Sequence, residues 1–407
     1  MKQKKIVLLT NGFPYGTGEN FISAELEALP EDFELEIVPF MFRGTDEART
    51  IPKKISVIND CRVAQTKLNK IAYAVRGLTN KDFWAEIKKR DDVTWQRFLQ
   101  ILGFYARSLE LYSKLKKRYV DELRNKSVTF YSYWLLEGAY AAALLQKEYN
   151  VKAYSRAHGV DVWDGMSAYG IVPSRNATLR TITSVFVCSQ DGQIYLKSKN
   201  PQYADKFCVG YLGTQDYGWT PGDNREKEFV IVSCARIEPV KRVELLAEAL
   251  KNIKDKKIHW VHFGDGSCRK KVEESIAELP GNIRVSLMGT TQHDDVMAYY
   301  CQNAVNLFVN TSSSEGLPVS IMEAISFGIP VIATDVGGTR EIVNTDTGRL
   351  ISADFSPEDL AAHISDYIKK DSATYCADRE VVRKFWENNF AARNNYKRFY
   401  KLIGTYE

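Results

Sequence analysis

The chain has 407 residues, 44% hydrophobic and 26% charged, with a formal net charge of +4. That length exceeds one ordinary core and sets two domains of roughly 200 residues each as the expectation, while the apolar content excludes a disordered chain. The modest charge does not demand nucleic acid, and no run approaches the roughly 18 apolar residues of a membrane span. Seven scattered cysteines without a C-x-x-C pair suggest neither a disulfide framework nor a zinc site.

The first apolar run, KIVLLT, leads into NGFPYGTGEN and the helical pattern FISAELEAL. The four residues Ile6–Leu9 fall far short of a signal-peptide core, so a cytoplasmic protein is expected. The loop carries Gly12, Gly16 and Gly18 but not G-x-G-x-x-G, which removes the usual dinucleotide fingerprint. Glycine-rich backbone at a strand end still approaches a ligand closely, with Gly16 the expected contact; a plain tight turn is the competing reading. From Lys67 to Lys126 there are 15 Lys and Arg against 7 Asp and Glu, so this stretch is +8 and the remainder −4. Phe83, Trp84, Trp95, Phe98, Phe104 and Tyr105 lie within it. Basic helices with aromatic faces lie on anionic lipid; the alternative is a pair of solvated helices whose aromatics face the core.

VTFYSYW, VKAYSRAHG and SVFVCSQ continue the habit of strand, turn and helix, and place His158 and Gly159 just after a strand. Arg156 and Asp161 flank the histidine, to orient it or to contact a second substrate. Lys199 to Lys227 mixes Pro, Gly and charges and reads as the linker. FVIVSCA, IHWVHFG, IRVSLMG, AVNLFVNTS and PVIATDV then repeat the pattern, which implies a second parallel sheet covered by helices on both faces. Asp294 and Asp295 read as the opening of a helix rather than as metal ligands. From Asp378 the pattern is helical with no strand to follow.

EGLPVSIMEAISFGIPVIATDVGG places Glu315 before, and Glu323 within, a helix expected over Leu317 to Phe327, with Pro318 in its first turn and Gly328 ending it. Gly316, Leu317 and Pro318 form the helix start, where unpaired amides favour phosphate. Glu323 falls about six residues inside, roughly 9 Å along the axis. Acceptors on either side of an anion site suit a ligand with hydroxyls at both ends and phosphates between, which describes a nucleotide sugar.

EGLPVSIMEAISFGIPVIATDVGGTREIV resembles the signature of the retaining glycosyltransferases of family 4, with both acids, the glycines and the proline in place. The resemblance implies an α/β chain of GT-B fold: two doubly wound Rossmann-like domains facing across a cleft. Residues 1–205 would be the acceptor-side domain, completed by a C-terminal helix, 378–407, crossing back to it. Residues 206–377 would be the nucleotide-sugar domain. It also implies that Arg236 and Lys241 grip the diphosphate and that His158 and Glu315 meet the sugar. Glu323 would hold the ribose, Thr290 and Thr291 would read the base, and Gly264 and Asp265 would line the cleft. Where the family has Gly before the Arg and after the Lys, this chain has Ala235 and Arg242.

The expected activity is transfer of a sugar, with retained configuration and without divalent metal or separate cofactor. The donor is a nucleoside-diphosphate sugar, UDP ahead of GDP, and the acceptor a glycan or lipid-linked glycan of a bacterial surface polysaccharide. Peripheral contact with the inner face of the membrane is expected of such an enzyme, and no nucleic-acid partner. Two alternatives stay open: a nucleotide-sugar epimerase, and a non-catalytic nucleotide-sugar-binding subunit of a polysaccharide assembly complex.

Overall fold

The computed structural model describes residues 4–404 apart from 17, 20, 43–45, 64–66, 91–92, 167–169 and 171. The chain divides into two compact units, Met1–Tyr211 with Tyr396–Glu407, and Leu212–Asn395.

The first unit begins with β1 (Lys4–Thr10), α1 (Ile22–Glu27), β2 (Phe33–Pro39) and β3 (Ser56–Val57). Four helices follow: α2 (Lys67–Leu78), α3 (Lys81–Ile87), α4 (Trp95–Arg118) and α5 (Val120–Arg124). The alternation then resumes with β4 (Val128–Ser132), α6 (Glu137–Tyr149), β5 (Lys152–Ala157), α7 (Arg175–Leu179), β6 (Ser184–Val187), α8 (Gln190–Lys199) and β7 (Phe207–Val209). All seven strands are parallel, in the order β3-β2-β1-β4-β5-β6-β7. Helices covering both faces explain why β1 reads as an unbroken apolar run instead of an alternating one. The small side chains of α6, Ala139 and Ala141 to Ala143, are buried and let the helix lie close to the sheet.

The second unit contains β8 (Phe229–Cys234), α9 (Glu244–Leu250), β9 (Ile258–Phe263), α10 (Arg269–Ala277), β10 (Ile283–Leu287) and α11 (His293–Gln302). It continues through β11 (Leu307–Asn310), α12 (Val319–Ser326), β12 (Val331–Thr334), β13 (Gly348–Ile351), α13 (Pro357–Lys369) and α14 (Ser372–Asn389). Its six strands are also parallel, ordered β10-β9-β8-β11-β12-β13. In both units the loops leaving the carboxyl ends of the strands carry the residues singled out by the sequence, where open α/β sheets place their ligands.

The boundary expected after residue 205 lies at 211/212, because Phe207–Val209, read as linker, pairs with β6 as the last strand of the first sheet. The C-terminal segment is two helices, α14 and α15 (Ala392–Gly404), and only Tyr396 onward belongs to the first unit. Residues 405–407 of the expected helix lie outside the described residues. α14 stays with the second unit through buried polar side chains. Arg379 Nη2 donates to Thr220 O at 2.8 Å, Arg383 Nη1 donates to Ser326 O, and Trp386 Nε1 donates to Thr214 Oγ1 at 2.8 Å.

Arg156, expected beside the site as an orienting or contacting group, is fully buried and structural. Its Nε donates to the Tyr131 hydroxyl at 2.7 Å and its Nη1 to Gly210 O at 2.7 Å, and Nε lies 3.4 Å from Glu25 Oε2. The guanidinium also lies over the rings of Phe399 and Tyr396, at 4.3 and 5.4 Å, which fastens α15 to the first sheet. Arg156→Ala leaves Glu25 buried without its cation and is expected to cost about 3–5 kcal/mol. The loss would appear as a lower urea midpoint for the first unit, and the paired replacement Glu25→Gln with Arg156→Met should lose clearly less.

Candidate functional site

In the second unit the chain leaves β8 through Ala235 and Arg236 and makes a 3-10 turn, Pro239–Lys241, before α9. Arg236 is exposed, and its guanidinium makes no hydrogen bond or ion pair among the described residues. Lys241 points to the next loop, where its Nζ donates to Glu315 Oε1 at 2.7 Å. That oxygen also accepts from Ser312 Oγ at 2.6 Å and Asn310 Nδ2 at 3.2 Å. Glu315 Oε2 takes none of these bonds, so the carboxylate is held by one oxygen and open at the other.

Glu323 is arranged in the same manner. The helix that carries it starts at Val319, two residues later than expected, because Leu317 precedes a proline and Pro318 itself is extended at φ −73°, ψ 105°. Glu323 therefore lies in the second turn, about 6 Å from the helix start. Its Oε1 is 2.9 Å from His293 Nε2 at the first residue of α11, and Oε2 is unengaged among the described residues. No side chain caps α12, and the amides of Leu317, Val319 and Ser320 make no hydrogen bond among the described residues. Free amides at a helix start, with the helix dipole, can receive an anion.

The backbone around the site is packed to the limit of glycine. A Cβ on Gly337 would lie 1.9 Å from Glu315 O, and one on Gly264 (φ +137°) would lie 1.9 Å from Ala235 O. Gly338 N donates to Gly316 O at 2.8 Å, and Gly264 N to Gly289 O at 2.9 Å, which with the close approach of Gly264 to Ala235 brings the β9, β10 and β12 loops against the loops bearing Arg236 and Glu315. Thr291 Oγ1 donates to Gly289 O at 3.1 Å, Thr290 is exposed, and Asp265 pairs with Arg269 at 3.1 Å.

Arg242, where the resemblance implies a glycine, keeps a left-handed backbone at φ +48°. Its side chain compensates: Nε donates to Thr311 O at 2.8 Å, Nη1 to Ala353 O at 2.8 Å and Nη2 to Ser312 O at 3.2 Å. The residue thus ties the Arg236–Lys241 loop to the loop bearing Glu315. Behind both lies a cavity of about 10 Å³ lined by Lys241, Asn310, Ser312 and His262. His262 Nδ1 is 2.8 Å from Ser233 Oγ, and burial pushes the imidazole down to about 4, so it stays neutral. His293 and His262 carried no sequence signal, since each meets its partner, Glu323 or Ser233, only through the tertiary fold, while Ser312 and Asn310 reach Glu315 from a nearby polar turn that carries no signal of its own.

In the first unit His158 follows β5 and packs among Trp134, Tyr133 and Phe21, with ring centroids at 4.5, 4.9 and 5.5 Å. Both ring nitrogens are buried without a hydrogen-bond partner among the described residues. Asp161 orients the turn: its carboxylate accepts from the amides of His158 at 2.7 Å, Gly159 at 3.1 Å and Leu135 at 2.9 Å. Burial opposes ionisation of Asp161, yet its bonds with His158 and the Leu135 amide hold the carboxyl below its usual range.

The loop after β1 is satisfied from within. Glu19 accepts the amides of Asn11, Gly12 and Phe13 at 3.2, 2.9 and 2.7 Å, so its carboxylate occupies the anion nest that the glycines open. Gly16, the expected ligand contact, donates its amide to Glu47 O at 3.1 Å, and its carbonyl accepts from Arg49. No backbone donor of Gly16 is left for a ligand.

Residues 221–384 match the family model for glycosyl transferases group 1. The lipopolysaccharide 1,6-galactosyltransferase of Escherichia coli strain K12 is 30% identical over 45% of this chain and 50% of its own length. The O-antigen biosynthesis glycosyltransferase WbnH of Escherichia coli is 28% identical over 42% of this chain and 46% of its own. The chain thus spans about half the length of these curated relatives. The crystal structure of HepE from Anabaena in complex with UDP and glucose superposes over 99% of this chain and 100% of that one, with a TM-score of 0.67 at 17% identity. The two parallel-sheet units and this likeness establish the GT-B fold.

Arg242 offers a direct test of the loop tie. Arg242→Ala loses the three carbonyl bonds and keeps a left-handed residue, whereas Arg242→Gly loses the bonds but relieves the backbone. Both should melt lower than the parent, with the alanine variant less stable than the glycine variant by about 1 kcal/mol in denaturant titrations of the second unit.

Proposed function

We propose that this chain is a retaining, metal-independent glycosyltransferase that moves a sugar from a nucleoside-diphosphate donor, UDP-linked ahead of GDP-linked, to a glycan or lipid-linked acceptor of a bacterial surface polysaccharide. The observation that carries this reading is the pair of half-anchored carboxylates, Glu315 and Glu323, on either side of the uncapped start of α12. Glu315 Oε2 receives sugar hydroxyls, Glu323 Oε2 receives ribose hydroxyls, and the diphosphate rests on the free amides with Arg236 and Lys241. Thr290 and Thr291 border the base, Gly264 lines the site, and Gly316, Leu317 and Pro318 border the phosphates. The match to group 1 glycosyltransferases and the lipopolysaccharide and O-antigen relatives support the reaction class and the acceptor class.

In the proposed step the acceptor hydroxyl attacks the anomeric carbon from the side the phosphate leaves. The carbon–oxygen bond to the diphosphate breaks as the bond to the acceptor forms, and the departing phosphate oxygen takes the acceptor's proton. Lys241 Nζ can hold Glu315 and still donate to that oxygen, because an ammonium has three N–H groups. Arg236 supplies charge that no hydrogen bond or ion pair takes up among the described residues. His158 is proposed to meet the transferred sugar through its ring or its backbone carbonyl.

The basic helices of the first unit fit a peripheral membrane enzyme. Phe83, Phe104 and Tyr105 are buried in a small core, as the solvated-helix alternative requires. Trp95 is 72% and Trp84 41% exposed, joined by Ile71, Val75, Leu78 and Leu99 on the same helices. Asp91 and Asp92 of the basic stretch lie outside the described residues. The +8 charge and these apolar side chains support contact with an anionic bilayer.

Screening UDP- and GDP-sugars by thermal shift should find one donor that raises the melting temperature, and that donor should release its nucleoside diphosphate in the presence of acceptor and EDTA. Arg236→Ala or Lys241→Ala should lower turnover by about 10²–10³-fold with a near-parental melting temperature, and normal turnover in both would refute the assignment. In a second test the protein should sediment with vesicles rich in phosphatidylglycerol and not with pure phosphatidylcholine, and Trp95→Ser with Val75→Asp should weaken that binding. Equal binding to both vesicles would remove the bilayer from the reading.

A further inference from the structure

We infer that His293 is the positioning residue for Glu323 and that, through it, His293 sets the preference of the site for ribose over 2′-deoxyribose. The inference rests on the donor reading of Glu323 and adds to it the residue that makes the carboxylate a selective acceptor.

A glutamate in the second turn of a helix has three rotatable bonds, and hydroxyl recognition needs its acceptor lone pairs in one place. Glu323 gets that restraint from a single side chain, since His293 Nε2 at 2.9 Å is its one hydrogen-bond partner among the described residues. The imidazole sits at the first residue of α11, directly after Thr290, Thr291 and Gln292, so the loop expected at the base also holds the group expected at the sugar.

His293 is itself held between two acids. Glu323 lies on Nε2, and Asp294 Oδ1 lies 3.5 Å from Nδ1. The ring of Tyr217, from the segment before β8, meets it edge-on with centroids 6.4 Å apart. Glu323 also faces Cys234 and Tyr300, whose burial pushes the thiol up to about 12 and the phenol higher, so both stay neutral. Carboxylates on both nitrogens favour the doubly protonated ring, and the bond to Glu323 raises its pKa above the ordinary histidine value of 6.5. The neutral ring has one N–H for two acceptors, so one carboxylate must then meet a lone pair.

The sign follows from the direction of the shift. The ion pair is fully formed below about pH 6.5 and is lost as pH rises through the elevated value of the folded protein, above which only the Nε2–H tautomer still donates to Glu323. Ribose selectivity should follow the same course, strongest on the acid side and weaker above it. Glu323 Oε2 stays open throughout, so nucleotide binding persists while its discrimination falls.

The test measures binding of UDP, GDP and their 2′-deoxy counterparts to the full chain by calorimetry at pH 6 and pH 8.5. Comparing ribo with deoxy nucleotides at one pH cancels the titration of the phosphates themselves. The parent should prefer ribose by about five- to tenfold at pH 6 and lose much of that preference at pH 8.5. His293→Ala should bind ribo and deoxy forms within about twofold of each other at both values. His293→Gln, which keeps a donor but does not titrate, should retain a preference that no longer depends on pH. Glu323→Ala separates the two layers. If it abolishes the ribose preference while His293→Ala leaves it intact, the inference about His293 fails and the donor reading stands. If Glu323→Ala keeps the preference, or if none of the nucleotides binds, the donor reading fails and takes the inference with it.

Discussion

The site depends on holding two carboxylates by one oxygen each. Glu315 Oε1 takes three bonds from Lys241, Ser312 and Asn310, and Glu323 Oε1 is held by His293, so each side chain has surrendered its rotational freedom before any ligand arrives. A free glutamate would lose that entropy on binding, whereas these two present a fixed acceptor. The uncapped start of α12 lies between them, and its amides have the opposite polarity. Under the proposed reading, hydroxyl, anion and hydroxyl of a nucleotide sugar would be matched in that order.

Backbone packing makes this fixity possible. Gly337 lies under the carbonyl of Glu315 and Gly264 under that of Ala235, at distances that leave no room for a Cβ. Glycines here serve close approach of one loop to another, and the loop geometry follows from the contact. Arg242 reaches the same end by different chemistry. It occupies a left-handed position that favours glycine and binds three carbonyls of neighbouring loops, so strain in one backbone residue is offset by joining separate segments.

The first unit distributes its polar groups by another logic. Arg156, Glu25 and Tyr131 form a buried network that serves the packing of α15, and Glu19 fills the amide nest of the loop after β1. His158 sits in an aromatic enclosure where neither ring nitrogen makes a hydrogen bond among the described residues, Nδ1 lying 3.9 Å from Asp161 Oδ2. A buried imidazole left in that condition loses hydrogen bonds it had in water. The contrast between Arg156 and His158, two residues apart in one strand and turn, separates a residue that holds the unit together from one that the unit holds.

The sequence by itself determined the class of the fold, through unbroken apolar runs alternating with helical patterns, and it determined the signature around Glu315 and Glu323, because both acids and the intervening turn are local. Hydrophobic periodicity and turn chemistry act over a few residues, and such effects are legible along a chain. Strand Phe207–Val209 escaped because three residues next to a linker give too short a pattern, and the start of α12 moved because a proline restrains the residue before it. Only the tertiary structure decided that His293 holds Glu323, that Arg242 joins three loops, that Arg156 is packing and that the amides of Asn11, Gly12, Phe13 and Gly16 are already taken. Each of those facts is a distance between groups remote in the chain or a count of bonds already made, and neither quantity exists until the strands are brought into register.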